Sequence, residues 1–577
     1  MTMLTKWGAA LDRSCPLPEY PRPQLRRESF YNLNGVWDYA VTPSGDEPEV
    51  WDGEIVVPFS PEAPLSGAAR GPAKDEYLHY RRGFTLPEGF QKSRVLLHFG
   101  AVDQIAEVFV NGVSAAKHSG GYWPFSADIT SLLREGENIL RVTVRDNADD
   151  PTFAYGKQRY KRGGMWYTAQ SGIWQTVWLE SVPEVYVKSL RITPEFDEAR
   201  VRIELETALE SSAAITCDVR AADGSFVAGS WAKGGVCVVP LPGFRAWTPD
   251  APYLYTLDIT CGEDRVESYF AMRKFSYVEL GGHKVFGLNN APLFHNGLLD
   301  QGYYPDGLLT PPSDEAMVND IETMKRCGFN MLRKHIKIEP LRWYYHCDRL
   351  GMIVWQDMVS GGQPYSFLHV SALPTLGKVD LPDQDAKPYG RSGVLSRARF
   401  RREMADTVRL LYNCPCIALW TVFNEGWGQF DALDMANELK KLDPTRFIDH
   451  ASGWQDQGYE EMKSRHIYFR PVKLKNDGRA LALTEYGGYI LAVDGHRWTD
   501  KVFGYRICRD SAALAHDYEK LMLGQVLPHI RKEGLTAAVY TQITDVEEEL
   551  NGLMTYDREV LKIPEETLRE INKQLKF

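Results

Sequence analysis

The chain has 577 residues, 44% of them hydrophobic and 25% charged, with 15 Trp, 29 Tyr and 24 Phe. That length gives a soft prior of about three to four domains, and the apolar content is ample for large cores. A net charge of −11 argues against nucleic acid or an anionic membrane as the main partner, and no apolar run reaches the length of a membrane span. The nine cysteines are scattered, without zinc-type spacing, and read as reduced, mostly buried thiols. The opening MTMLTKWGAALDRS lacks the apolar core of a secretory signal. These points together lead us to expect a cytoplasmic protein.

In chain order, the first signals are β. GVWDYAV, YRRGFTL, RVLLHFG, IAEVFVNG, NILRVTVRDN and IWQTVWLESV are short runs of β-branched and aromatic residues broken by Gly, Asn, Asp or Pro. Asn111-Gly112 marks a tight hairpin. The spacing predicts a β-sandwich over residues 1–183. RVRIELET, AAITCDVRA and LYTLDIT alternate in the manner of half-buried strands and predict a second, immunoglobulin-like β-sandwich over 184–278.

The texture then changes. Ser313 followed by Asp314 and Glu315 predicts a helix start, and Met317, Ile321 and Met324 fall on one helix face. Gly328 ends that helix, and FNMLRKH reads as a strand. The same beat returns at PLRWYYHCDRL then MIVWQDM, and at ARFRREMADTVRLLYN then CIALWTVFNE. It recurs at DALDMANELKKL then RFIDHAS, and at LMLGQVLPHIRKEG then LTAAVYTQI. Helix, turn, apolar strand, repeated to the end, predicts a (β/α)8 barrel over 279–577. GxGxxG and GxxxxGK[ST] are both missing, which removes the usual nucleotide signatures of the doubly wound alternative.

Barrels of this kind carry their chemistry at the C-terminal ends of the strands. The polar residues there are Arg333, Lys334 and His335; Trp355, Gln356 and Asp357; Asn424 and Glu425; His450; Thr484 and Glu485; and Tyr540 to Gln542. Glu425 and Glu485 each follow an apolar strand and have glycine close behind, Gly426 after the first and Gly487 after the second. A lone strand-end Glu is more often a salt bridge; two in one barrel make a pair of carboxylates facing one cavity. Such a pair is what glycosidic cleavage needs, one protonated to donate and one ionised to attack or to support water. No metal-ligand spacing appears, and no cofactor is expected.

WTVFNEGWG resembles the acid/base segment of glycoside hydrolase family 2, and TEYGGY resembles its nucleophile segment. YRRGFTLPE, LLHFGAVDQIAEVFVNG and GGMWYTAQSGIWQTVWLE resemble that family's jelly-roll sugar-binding sandwich. FRAWTPDAPYLYTLDI resembles its immunoglobulin-like domain, and GFNMLRKHIKIEP with CDRLGMIVWQDM resembles its second and third barrel strands. The resemblance implies a retaining exo-β-glycosidase acting on a glycoside or oligosaccharide, β-galactosidase-like, with β-glucuronidase or an inactive carbohydrate-binding relative as alternatives. It implies Glu425 as acid/base, Glu485 as nucleophile and Asn424 on the sugar 2-hydroxyl. Tyr468 would touch the nucleophile and Arg333 would orient a carboxylate. Trp355, Asp357, His335 and Tyr540 are expected around the sugar.

Two departures bear on the sugar, one of them Tyr540, which stands where many relatives of that family carry a tryptophan under the sugar. The Asn-x-Lys by which β-glucuronidases of this family grip a carboxylate is missing, and Glu547 to Glu549 stand near its place, read here as a solvated acidic face. Arg333, Lys334 and Lys337 are either a substitute for that cation or partners of barrel carboxylates. Residues 359–394 form a long Gly/Pro-rich loop that is expected to overhang the pocket or meet a neighbouring subunit, leaving a homo-oligomer open.

Overall fold

The computed structural model describes residues 3–209, 214–376 and 380–577. The first β region forms two antiparallel sheets. One runs Phe30–Asn32, Val177–Val182, Arg94–Phe99, Phe125–Asp128. The other runs Gly53–Val57, Gly35–Thr42, Tyr77–Thr85, Glu137–Arg145, Ile105–Val110, Val113–Ser119. Trp37, Leu78, Leu97, Val108, Val142 and Leu179 point inward and form one core, as alternation on each strand requires. Asn111 and Gly112 both have positive φ, 52° and 83°, the backbone of a two-residue hairpin turn.

The second β region packs a three-stranded sheet (Val187–Glu195, Arg200–Thr207, Val236–Pro240) on a four-stranded one. The latter runs Phe226–Trp231, Ile215–Arg220, Tyr255–Cys261, Asp264–Phe270. Tyr255–Cys261 alternates buried and half-buried residues along its whole length. Cys217, Cys237 and Cys261 lie inside this core as free thiols. Arg27 ties the two sandwiches, bonding Glu180 at 3.1 Å and Asp264 at 2.9 Å.

The barrel follows. Its strands are β1 (His295–Asp300), β2 (Met331–Lys334), β3 (Ile353–Asp357), β4 (Ile417–Asn424), β5 (Phe447–Ser452), β6 (Met462–Ile467), β7 (Ala480–Gly487) and β8 (Leu535–Thr541). They pair in parallel in sequence order, and β8 returns to β1. Only β5 and β6 lack a ladder between them among the described residues. Helices α1 (Asp314–Arg326), α2 (Leu341–Leu350), α3 (Val394–Leu411) and α4 (Ala432–Leu442) follow the first four strands. Helix α5 (Ser511–Leu521), prolonged to Glu533, precedes β8, and α6 (Glu565–Asn572) follows it. The strict helix–strand repeat fails after β5 and β6. Both connections are short and carry turn residues, Gly453, Asp456 and Gly458 in the first and Pro471, Asn476, Asp477 and Gly478 in the second.

Ser313 caps α1, its Oγ accepting from the Ala316 N–H at 3.2 Å. A hairpin of Phe275–Leu280 and His283–Leu288 closes the N-terminal end of the barrel, and its Phe286 stacks on Phe447.

Residues 377–379 of the long loop lie outside the described residues. The rest folds over the segments that follow β4 and β5. Gln455 donates to the His369 carbonyl at 2.7 Å and accepts from Leu381 N–H at 2.8 Å. Gly428 N–H donates to the Tyr389 carbonyl at 2.8 Å.

Candidate active site

At the C-terminal end of the barrel, β4 ends in Asn424, and Glu425 follows in the left-handed region, φ 55°. A non-glycine residue rarely sits there, and the conformation is held by neighbours. Glu425 N–H donates to the Ser452 carbonyl at 2.9 Å, and the Trp454 indole donates to the Glu425 carbonyl at 2.9 Å. Gly426 continues the turn at φ 72°, where a Cβ would lie 3.0 Å from Gln455.

Glu485 stands near the end of β7. Its Oε1 accepts from Arg333 Nη1 at 3.2 Å, and its Oε2 accepts from the Tyr468 hydroxyl. Tyr468 meets Thr541 Oγ1 at 2.9 Å and stacks on Tyr505 with ring centroids 3.9 Å apart. Burial, with Glu485 alongside, holds the Tyr468 phenol well above its usual pKa, so it stays a donor.

His466, the penultimate residue of β6, lies between the two glutamates. Its Nδ1 is 2.7 Å from Glu425 Oε1 and 3.6 Å from Glu485 Oε2. One oxygen of Glu425, one of Glu485 and a ring nitrogen of His466 all lie within 4.8 Å of one another. Burial pushes the His466 ring down to about 3, so it is neutral at working pH. Its Nε2 is 3.2 Å from Ser452 Oγ and 3.5 Å from Arg333 Nη1, a group that can only donate. Nε2 is therefore the acceptor of the neutral ring, and Nδ1–H faces Glu425 Oε1 as a donor. A donor at that distance favours the ionised carboxylate. Burial raises the Glu425 pKa, opposed by the charges of Lys157, His335 and Arg333.

Arg333 is the hub beneath the pair, fully buried. Its Nε donates to Asp357 Oδ1 at 3.0 Å, Nη1 to the Thr484 carbonyl at 3.0 Å, and Nη2 to Asn424 Oδ1 at 2.8 Å. With Oδ1 engaged, Asn424 keeps its amide N–H groups for a ligand. Asp357 also meets His335 Nδ1 at 2.7 Å. Asn424, Glu425, Glu485, Tyr468, Arg333, Asp357 and His335 therefore come together.

Trp355 and Tyr540 do not join them. Trp355 faces inward like Asp357 but one layer deeper, its indole donating to His295 Nδ1 at 3.0 Å. His295 opens β1 and so lies at the far end of the barrel from the glutamates. Tyr540 packs against Tyr518 of α5 and Tyr486, on the outward side of β8, and its neighbour Thr541 reaches Tyr468 instead. The basic stretch after β2 is spent internally: Lys334 bonds Asp300 and Glu339, and Lys337 bonds Glu339.

The acidic run is not a solvated face. Glu547 and Glu549 are buried. Glu549 accepts from the Tyr167 hydroxyl, Glu547 from Thr168 N–H and Glu548 from Gly164 N–H, so the run clamps a loop of the first sandwich against the barrel. His466, Tyr505 and Lys157 are additions that sequence reasoning missed. The only local sign of His466 was its place beside Tyr468 in RHIYF.

Glu425, His466 and Glu485 have a spacing that could suit a metal, and so have His496, Asp557 and Glu559. In the first cluster the ligand atoms already satisfy one another or are held by Arg333 and Tyr468. In the second, His496 and Asp557 pair at 2.7 Å.

Residues 64–183 match the glycosyl hydrolases family 2 sugar binding domain, 185–273 the glycosyl hydrolases family 2 model, and 311–474 that family's TIM barrel domain. Together they span well over half of the chain. A β-galactosidase of Thermoanaerobacter pseudethanolicus is 25% identical over 64% of this chain and 47% of its own length. The β-glucuronidase of Homo sapiens is 23% identical over 78% of this chain and 73% of its own. The chain spans 47%, 37% and 45% of the length of the first three curated relatives it matches. Among solved structures, an uncultured Clostridium sp. β-glucuronidase superposes with a TM-score of 0.74 at 19% identity, covering 96% of this chain and 99% of that one. A family 2 β-galacturonidase from Eisenbergiella tayi gives 0.71 at 18%, covering 96% and 99%.

Proposed function

The chain belongs to glycoside hydrolase family 2, and from that premise we propose that it is a retaining exo-β-glycosidase working by double displacement. The observation that carries the proposal is the separation of the two carboxylates, oxygens within 4.8 Å across His466. Retaining enzymes hold their carboxyl groups about 5–5.5 Å apart, whereas inverting ones leave about 6.5–9.5 Å for a water.

Glu485 attacks the anomeric carbon while Glu425 gives its proton to the departing glycosidic oxygen. The C–O bond to the aglycone breaks, a glycosyl ester on Glu485 forms, and the aglycone leaves as an alcohol. Glu425, now ionised, takes a proton from water, which displaces Glu485 with a second inversion. Arg333 and Tyr468 fix Glu485 and receive its charge when the ester breaks. Asn424 offers its amide to the 2-hydroxyl.

The expectation of a neutral, galactose-like sugar rested on the want of a cation in the C-terminal segment. That ground is weaker in the folded chain, because the first sandwich brings Lys157 to the site. The nine unpaired cysteines support a cytoplasmic setting; no helix among the described residues is long and apolar enough to cross a membrane. A panel of nitrophenyl β-glycosides, with the anomer first released followed by proton NMR, tests the reading. The β-anomer is expected; release of the α-anomer, or no hydrolysis across the panel, overturns it.

A further inference from the structure

The first sandwich sends a loop over the barrel mouth. Tyr155 and Gly156 N–H donate to the Ser360 carbonyl at 3.1 and 2.9 Å, and the Tyr155 hydroxyl donates to the Gly362 carbonyl at 2.7 Å. Gly156 has φ +64°, and a Cβ there would stand 2.9 Å from the Ile336 carbonyl. Only glycine allows this approach. The next residue is Lys157, folded in at 8% exposure with its ammonium 5.5 Å from the Trp166 ring. Trp166 in turn meets Trp427, two residues after Glu425, edge-on with ring centroids 5.0 Å apart, which sets the ammonium beside the reacting centre; its charge acts on Glu425, His335 and Glu549.

The cations at and just after the end of β2 have carboxylate partners: Arg333 has Asp357 and Glu485, and Lys334 and Lys337 share Glu339. Lys157 has no ion pair within 4 Å and no hydrogen bond from its ammonium among the described residues. A charge taken this far out of water costs free energy unless something compensates it. Glu549, on which its charge acts, is already held by Tyr167. The missing partner is one that arrives with the substrate.

We propose that Lys157 is the specificity-determining cation of this active site and that the sugar it receives bears a carboxylate. The assignment rests on the glycosidase reading above. It places the acid-recognising group on a different domain from the catalytic carboxylates, so docking of the first sandwich sets the substrate class. A neutral sugar would leave the ammonium facing hydroxyls alone, which accept weaker hydrogen bonds than a carboxylate.

The test compares kcat/KM for matched pairs of nitrophenyl β-glycosides, glucoside against glucuronide and galactoside against galacturonide, in wild type, Lys157→Met and Lys157→Arg. Wild type is expected to prefer one uronide over its neutral partner. Lys157→Met should lower that uronide by about 10- to 100-fold, the weight of one charge-assisted hydrogen bond, while the neutral partner changes little. Lys157→Arg should recover part of the loss, and melting temperatures check that all three fold. A wild type preferring both neutral members overturns the proposal and leaves the glycosidase reading intact. So does an equal loss on both members of the preferred pair, which would make Lys157 an electrostatic partner of Glu425 only. No hydrolysis of any of the four removes the glycosidase reading itself.

Discussion

His466→Leu should move the pH dependence of this enzyme in one direction. In the folded chain Nδ1–H donates to Glu425 Oε1 at 2.7 Å, because Nε2 accepts from Arg333 Nη1. Removing it takes away a hydrogen bond that is strongest to the ionised carboxylate. A net hydrogen bond is worth about 1 ± 0.5 kcal/mol, and 1.36 kcal/mol is one pKa unit, so Glu425 should rise by about one unit. The first step needs Glu425 protonated, so activity is present below its pKa and lost as pH rises through it. The basic limb of kcat/KM should therefore move about one unit towards alkali. The assay is kcat/KM against pH with an alkyl glycoside, whose poor leaving group makes proton donation matter. His466→Asn, which can present an N–H to the same oxygen, should shift the limb less. A limb that stays in place or moves towards acid refutes the assigned tautomer and the role built on it.

Glu485→Gln should abolish turnover of every substrate, with melting temperature near wild type. Glu425→Ala should lose alkyl glycosides but spare dinitrophenyl ones in the first step, and added azide should give a β-glycosyl azide visible by mass spectrometry. Arg333→Met leaves Asp357 and Glu485 as buried charges without their partner, so urea unfolding should show a loss of about 3–5 kcal/mol. Gln455→Ala removes the bonds to His369 and Leu381 that hold the long loop. Chymotrypsin should then cut at the exposed Phe367 about fivefold faster, the equivalent of about 1 kcal/mol.

Much of this protein is local information. Two-residue periodicity marks the sandwich strands, Asn111-Gly112 marks a turn, and Ser313 with its acidic first turn marks α1. Glu425 and Glu485 were visible because each comes at the end of a mainly apolar run with glycine close behind, a place where no core residue needs to be charged. Strand depth and facing were less legible. Every residue of β3, β7 and β8 is buried, so hydrophobicity carries no alternation there to tell inward from outward. Trp355 is thus one layer too deep, and Tyr540 points away while Thr541 points in.

The acidic run at 547–549 looked solvated because its partners, Tyr167, Thr168 and Gly164, lie some 380 positions earlier, in another domain. His466 and Lys157 belong to the same class. A histidine on β6 becomes the neighbour of both glutamates only when the barrel curves, and a lysine of the first sandwich enters the site only when Gly156 lets its loop settle on the barrel. The sequence by itself determined the elements, their order and the two carboxylates, because those follow from short-range periodicity and from charge at a strand end. The tertiary structure decided which groups hold, protonate and select around those carboxylates, because these contacts join residues that only closure of the barrel and docking of the domains bring together.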